Sequence, residues 1–212
     1  QDSYIEDFES GAGNWTLTGN WAIVTEGEYI SASHALTESP GGDYNADEVD
    51  SYAQWATPMD LTAYPGAEIS FWTKYDIEED FDYMYFEGSM DGGTTWIRLQ
   101  TYSMEGVGWH QEVIPMNAFA GMSNVTFRFS FVSDGGYAAN GMYIDDLVVS
   151  TYNVDHGAPT IISDPYAPEY YEGVFGDYTD AIEIIDFSGI ASAIVYYTVD
   201  GGAEQSVTAS NT

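Results

Sequence analysis

The stretch Val125-Thr126-Phe127-Arg128-Phe129-Ser130-Phe131 alternates strictly between apolar and polar residues. Successive side chains of a strand point to opposite faces, so Val125, Phe127, Phe129 and Phe131 share one face. The pattern predicts a half-buried β-strand. Outward from it, further alternating or apolar runs occupy residues 21–25, 68–74, 83–89, 96–102, 110–115 and 142–150. Gly, Pro, Asn and Asp separate them. Asp91-Gly92-Gly93, between two of these runs, is a hairpin signal. No stretch sustains a helical period with caps. Many short strands at this spacing predict an all-β chain, a sandwich or jelly roll.

The segment from Trp72 to Trp96, WTKYDIEEDFDYMYFEGSMDGGTTW, joins two of the runs through an acidic cluster. Asp76, Glu78, Glu79, Asp80 and Asp82 place five carboxylates in seven positions. They repel one another unless a cation or open water offsets the charge. Hard cations that take oxygen ligands, Ca²⁺ above all, bind such clusters. Flanking strands hold the loop at both ends, which can preorganise ligands.

Composition narrows the function classes. A 212-residue chain has room for one large or two small domains. With 44% hydrophobic and 16% aromatic residues it can build a core. Thirty-five acids face three bases, Lys74, Arg98 and Arg128, for a formal charge of −32. Phosphate contacts need Lys and Arg, so nucleic acid is excluded as a partner, and anionic membranes are disfavoured. Such a charge suits surroundings rich in salt or divalent ions. Absence of cysteine excludes disulfides, thiolate zinc sites and cysteine nucleophiles. No apolar run reaches the ~18–20 residues of a membrane span.

Residues 154–158 read as a linker. The organisation expected is a β-sandwich over 1–153 and a β segment over 159–212. The tail carries strand candidates at 181–185, 193–200 and 205–208, and a second hairpin signal at Asp200-Gly201-Gly202. A stand-alone Ig-like sandwich needs ~100 residues. The tail is thus an incomplete domain, a small one leaning on the first, or one completed by another chain. Its tyrosines Tyr166, Tyr170, Tyr171 and Tyr178 are candidate exposed contact residues.

Several short motifs recur in order over the first ~150 residues. They are Asp7-Phe8-Glu9 with Trp15, Ser33-His34-Ala35-Leu36, Ser39-Pro40-Gly41-Gly42 with Tyr44, Thr57-Pro58-Met59-Asp60-Leu61 and Ile144-Asp145-Asp146. With the acidic segment and the Ser89 to Trp96 turn, they resemble the MAM-like and cleaved-adhesin jelly-roll modules of immune inhibitor A-type secreted bacterial metallopeptidases. The tail resembles the Ig-like repeats that follow such modules, through Asp186-Phe187-Ser188-Gly189-Ile190 and the run from Val195 to Gly202. The resemblance implies a jelly-roll β-sandwich without catalytic activity, often with structural calcium. The expected locale is extracellular or the cell surface.

If the two ends of that sandwich meet, as the resemblance implies, Glu9 and Asp146 form one Ca²⁺ site with Asp7 nearby. Period-two alternation turns Phe8 to the core and its acidic neighbours outward. Asp80, Asp82 and Asp43 are the expected second site. No His-Glu-x-x-His zinc motif and no Gly-x-Ser-x-Gly elbow is present, and His34, His110 and His156 lie far apart. The chain is therefore expected not to be an enzyme. Three roles remain open: an adhesion or accessory module binding a surface protein or glycan; a subunit of a filament or surface layer built from copies of itself by strand augmentation; and a carbohydrate-binding module.

Overall fold

The computed structural model describes residues 3–25 and 29–153, and beyond them only four short strands. Eleven strands of the first part form two antiparallel sheets. The first sheet contains β1 (Ser3–Glu6), β3 (Ala22–Val24), β4 (Ala35–Thr37), β6 (Gly66–Asp76), β9 (Val107–Pro115) and β11 (Gly141–Tyr152). Its order is β3-β4-β11-β6-β9, and β1 also pairs with β11. The second sheet has the order β2-β5-β10-β7-β8, from β2 (Trp15–Leu17), β5 (Ser51–Trp55), β7 (Tyr83–Ser89), β8 (Ile97–Tyr102) and β10 (Thr126–Val132). This is the expected all-β sandwich. Among the described residues, no helix is long and apolar enough to cross a membrane.

The alternation at 125–131 positions the core. Phe127, Phe129 and Phe131 are at most 1% exposed, whereas Arg128 and Ser130 reach the surface. Phe129 of the second sheet meets Phe71 of the first edge-on, with ring centroids 5.1 Å apart, and Phe86 at 5.0 Å. Trp15 and Trp55 close one end of this cluster, 5.6 Å apart. Edge-to-face pairs of this kind add about 0.5–1.5 kcal/mol beyond area burial.

β11 changes partner midway along its length. β4 pairs with Tyr143 and Ile144, and β1 pairs with Leu147 to Ser150, on the same side of β11. The register against β6 shifts between Asp145 and Val148. Asp145 and Asp146 therefore sit on a bulge where β1 ends and β4 begins. Asp146 carries a left-handed backbone, φ +47°, which Asp tolerates better than most residues.

β11 starts at Gly141, with φ +73°. A Cβ there would overlap the carboxylate of Glu38 and the side chain of Ser39. Gly141→Ala combines a left-handed strain with overpacking, so a loss of about 2–4 kcal/mol is expected, read as a lower denaturant midpoint. A variant as stable as the parent would contradict this.

In the tail, β12 (Thr160–Ile162) pairs with β13 (Glu183–Ile185), and β14 (Ile194–Tyr197) with β15 (Gln205–Thr208), both antiparallel. Three of these strands overlap the expected runs. The linker at 154–158 lies outside the described residues, as do Tyr166, Tyr170, Tyr171, Tyr178 and the Asp200-Gly201-Gly202 turn.

Candidate metal centre

Two groups of carboxylates stand out in the sandwich. The first surrounds the β11 bulge. Glu9 accepts four hydrogen bonds: the Ser33 and His34 backbone N–H at 2.8 Å each, the Ser33 hydroxyl at 2.9 Å and His34 Nδ1 at 2.8 Å. The Ser33 N–H, then His34, hold its pKa down at about 2. Asp146 Oδ1 accepts the Ser31 hydroxyl at 2.7 Å. Asp145 is fully buried; its Oδ2 accepts the backbone N–H of Ile30 and Ser31, and its Oδ1 that of Asp146. Asp7 is exposed, and its Oδ1 accepts the Glu9 N–H at 3.1 Å. Phe8 is buried.

Thus the end of β1 and the bulge within β11 bring Glu9 and Asp146 to one segment, residues 31–34, and donors of that segment engage both carboxylates. A cation on Glu9 would have to displace the Ser33 hydroxyl or His34. Ser33, His34 and Glu9 do not form a catalytic relay. Both partners of the imidazole meet the same nitrogen, Nδ1, whereas a relay uses the two ring nitrogens for different partners.

The second group lies where β6 ends and β7 begins. Asp82 is fully buried just before β7. Its Oδ2 accepts the Tyr44 hydroxyl at 2.6 Å, and its Oδ1 accepts the Asp134 N–H at 2.9 Å. The Tyr44 oxygen in turn accepts the Glu78 N–H at 3.2 Å. Burial, then the Asp82 carboxylate, raise the tyrosine pKa well above its usual range. That keeps the hydroxyl a donor. The 44–48 loop is tied in by the N–H groups of Ser133 and Gly135, which donate to the carbonyls of Glu48 and Ala46.

One oxygen each from Glu78, Asp82 and Asp134 lies within 4.8 Å of the others. Glu78 Oε2 is buried without a hydrogen-bond partner. Three hard carboxylate ligands, on one of which an oxygen is buried without a partner, suit a cation that takes oxygen ligands. Asp82, expected from the sequence, belongs to this group. Asp80 and Asp43 are exposed and stand outside it. Asp80 occupies a left-handed turn, φ +66°, with its N–H on the Ser103 hydroxyl. Asp134 is not among the acids expected from the sequence. Its sequence signal is an acid before Gly135-Gly136, directly after the alternating strand. It reaches the site because β10 pairs with β7 through Val132 and Tyr83.

Comparison with known proteins assigns the chain to a family. The model of the immune inhibitor A-like MAM domain matches residues 44–164. Bacillopeptidase F of Bacillus subtilis (strain 168) is 28% identical over 159 residues, 69% of this chain but 10% of the relative. The chain thus spans about a tenth of that protein's length. Among solved structures, the K1 cleaved adhesin domain of Lys-gingipain from Porphyromonas gingivalis W83 superposes with a TM-score of 0.52 at 16% identity. That match covers 71% of this chain and 98% of the domain. The K2 cleaved adhesin domain of Lys-gingipain gives 0.51 at 14% identity, covering 70% and 99%. These likenesses support the jelly-roll fold, and the matched segment contains Tyr44, Glu78, Asp82 and Asp134. The chain belongs to the immune inhibitor A-like MAM domain family.

Proposed function

We propose that the chain is a non-catalytic accessory or adhesion module of an extracellular or cell-surface protein, stabilised by Ca²⁺. Membership of the MAM-domain family supports the module reading, as does the small share of bacillopeptidase F that the chain spans. The observation that carries the cation is the convergence of Glu78, Asp82 and Asp134, with one Glu78 oxygen buried and partnerless. These three carboxylates would hold the ion, with Asp82 oriented by Tyr44. The ion would supply the charge that offsets their mutual repulsion. It would also cross-link the loops before β7 and after β10.

A ligand that binds only the folded state stabilises it by RT ln(1 + [L]/Kd), about 2.7 kcal/mol at a hundredfold excess. Extracellular modules bind Ca²⁺ at roughly 10⁻⁴–10⁻³ M. At about ten to a hundred times such a Kd, the melting temperature is expected to rise by several degrees over EDTA at matched ionic strength. Glu78→Gln should remove most of that rise. Equal melting in both conditions would refute calcium at this site.

A second reading has its own support. Among the described residues, each tail sheet has only two strands, β12 with β13 and β14 with β15. Open edges invite another strand, so a filament subunit completed by a neighbouring copy is the alternative. Concentration-dependent assembly in size-exclusion chromatography, lost when residues 159–212 are removed, would favour it.

A further inference from the structure

The second sheet differs in charge from the rest of the chain. Its strands contain one acid, Glu87, and two bases, Arg98 and Arg128. The strands of the first sheet contain six acids and one base. In a chain with 35 acids and 3 bases, two thirds of the cations therefore share one acid-poor sheet.

Pairing register lines up Gln54, Arg128, Glu87 and Arg98 on four adjacent strands. At the ordinary strand spacing this row is roughly 15 Å long. Arg128 Nε donates to Glu87 Oε2 at 2.6 Å. The Arg128 guanidinium lies 4.2 Å from the ring centre of Trp96, and that of Arg98 lies 3.4 Å from the ring centre of Tyr85. Stacking of this kind holds the planar groups in fixed orientations. Gln54, Arg128 and Arg98 are partly exposed on the outer face, as are both rings. The large exposed aliphatic side chains, such as Ile5, Val49 and Val113, lie elsewhere, so the apolar surface at the row is that of its two aromatic rings.

We propose that this row is a binding face for an acidic oligosaccharide, a chain of sugars that carry carboxylates. Glu87 takes Arg128 Nε and Arg98 Nε is buried, so the match to a carboxylate would be made by the paired terminal nitrogens of each guanidinium, and Gln54 adds an amide for hydroxyls. Aromatic rings at the row provide flat apolar surface with polar edges. Charge complementarity selects the acidic class: the row carries two positive charges and one negative, on a molecule that repels anions elsewhere. At ~0.15 M salt the screening length is about 8 Å, so distant acids are damped while direct contacts remain. A nucleic acid would need many more basic contacts. The inference rests on the reading of the chain as a binding module and is independent of the cation.

The test is calorimetry of the full chain with oligogalacturonates and with xylo-oligosaccharides of equal length, with and without Ca²⁺. The acidic series is expected to bind at least about tenfold more tightly, a difference of 1.4 kcal/mol, and to weaken at high salt. Arg98→Gln should lower that affinity about tenfold or more. The pair Glu87→Gln with Arg128→Gln should do the same without leaving a lone buried charge. Melting curves identify any variant that fails to fold. Chemical-shift changes at the Trp96 indole N–H of the parent protein provide a readout that needs no variant. No binding, equal binding of the neutral series, or shifts confined to other residues would overturn the proposal. Cell-surface attachment that persists without glycan affinity would refute this face and leave the accessory reading standing.

Discussion

At pH 8 the Glu38→Gln variant is expected to melt roughly 5–15 °C above the parent, and at pH 4 to show no such gain. Glu38 follows β4 and is 2% exposed. Its Oε1 accepts the Met142 N–H at 2.7 Å, while Oε2 is buried without a partner. Burial pushes its pKa up from 4.5 to about 8, against the opposing pull of the Met142 N–H. Between those two values the native chain holds a proton that the unfolded chain has released. The stability tied to this group is therefore fully present below about 4.5 and is lost as pH rises to about 8. At 1.36 kcal/mol per pH unit the interval amounts to about 5 kcal/mol.

Gln is neutral throughout and keeps the acceptor for Met142. Its amide meets the same partnerless site, which costs about 1–3 kcal/mol. The net gain at pH 8 is then about 2–4 kcal/mol. Melting curves of both proteins from pH 4 to pH 8 isolate the effect as a difference. A difference that stays flat across that range would show that Glu38 titrates as an ordinary surface acid and would refute the argument.

Much of the sandwich was legible because its long strands alternate over many residues. β7 follows the expected 83–89 run, with Met84 and Phe86 turned inward and Tyr83 and Tyr85 outward. β6 extends the 68–74 run at both ends. Unread strands have physical reasons for their silence. β2 and β4 are three residues each, too short for a period to register. β5 alternates inward through Ser51, Ala53 and Trp55, but two of these are small, so no apolar contrast marks the face. Local acidity pointed to Asp82, and the five-acid cluster also contained Glu78. Asp134 joins them only through the register of β10 on β7, a contact between residues some fifty positions apart. The same distance effect hid Glu38, whose acidity matters because the start of β11 covers it. Within β11, the run Ile144-Asp145-Asp146 points to Asp146, while the deeper structural role falls to its neighbour.

That neighbour carries the second large expectation: Asp145→Ala should destabilise the sandwich by about 3–5 kcal/mol, with Asp145→Asn intermediate and Asp146→Ala costing about 1 kcal/mol. Asp145 is fully buried, and burial raises its pKa despite three backbone N–H donors. Two of those donors, at Ile30 and Ser31, hold the segment that leads into β4; the third, at Asp146, shapes the bulge of β11. Alanine would strand all three. Each lost partner of a buried donor costs about 1–3 kcal/mol, moderated here because Ile30 and Ser31 can reach water. Asparagine still accepts from the Ile30 and Ser31 pair, but its amide group then faces the Asp146 N–H, donor against donor. Asp146 loses only a partly buried bond to the Ser31 hydroxyl and some ease in its left-handed backbone. Denaturant midpoints measured in EDTA rank the three variants by protein contacts alone. A larger loss at Asp146 than at Asp145 would reverse the assignment and make the exposed acid the anchor of the β1–β4 junction.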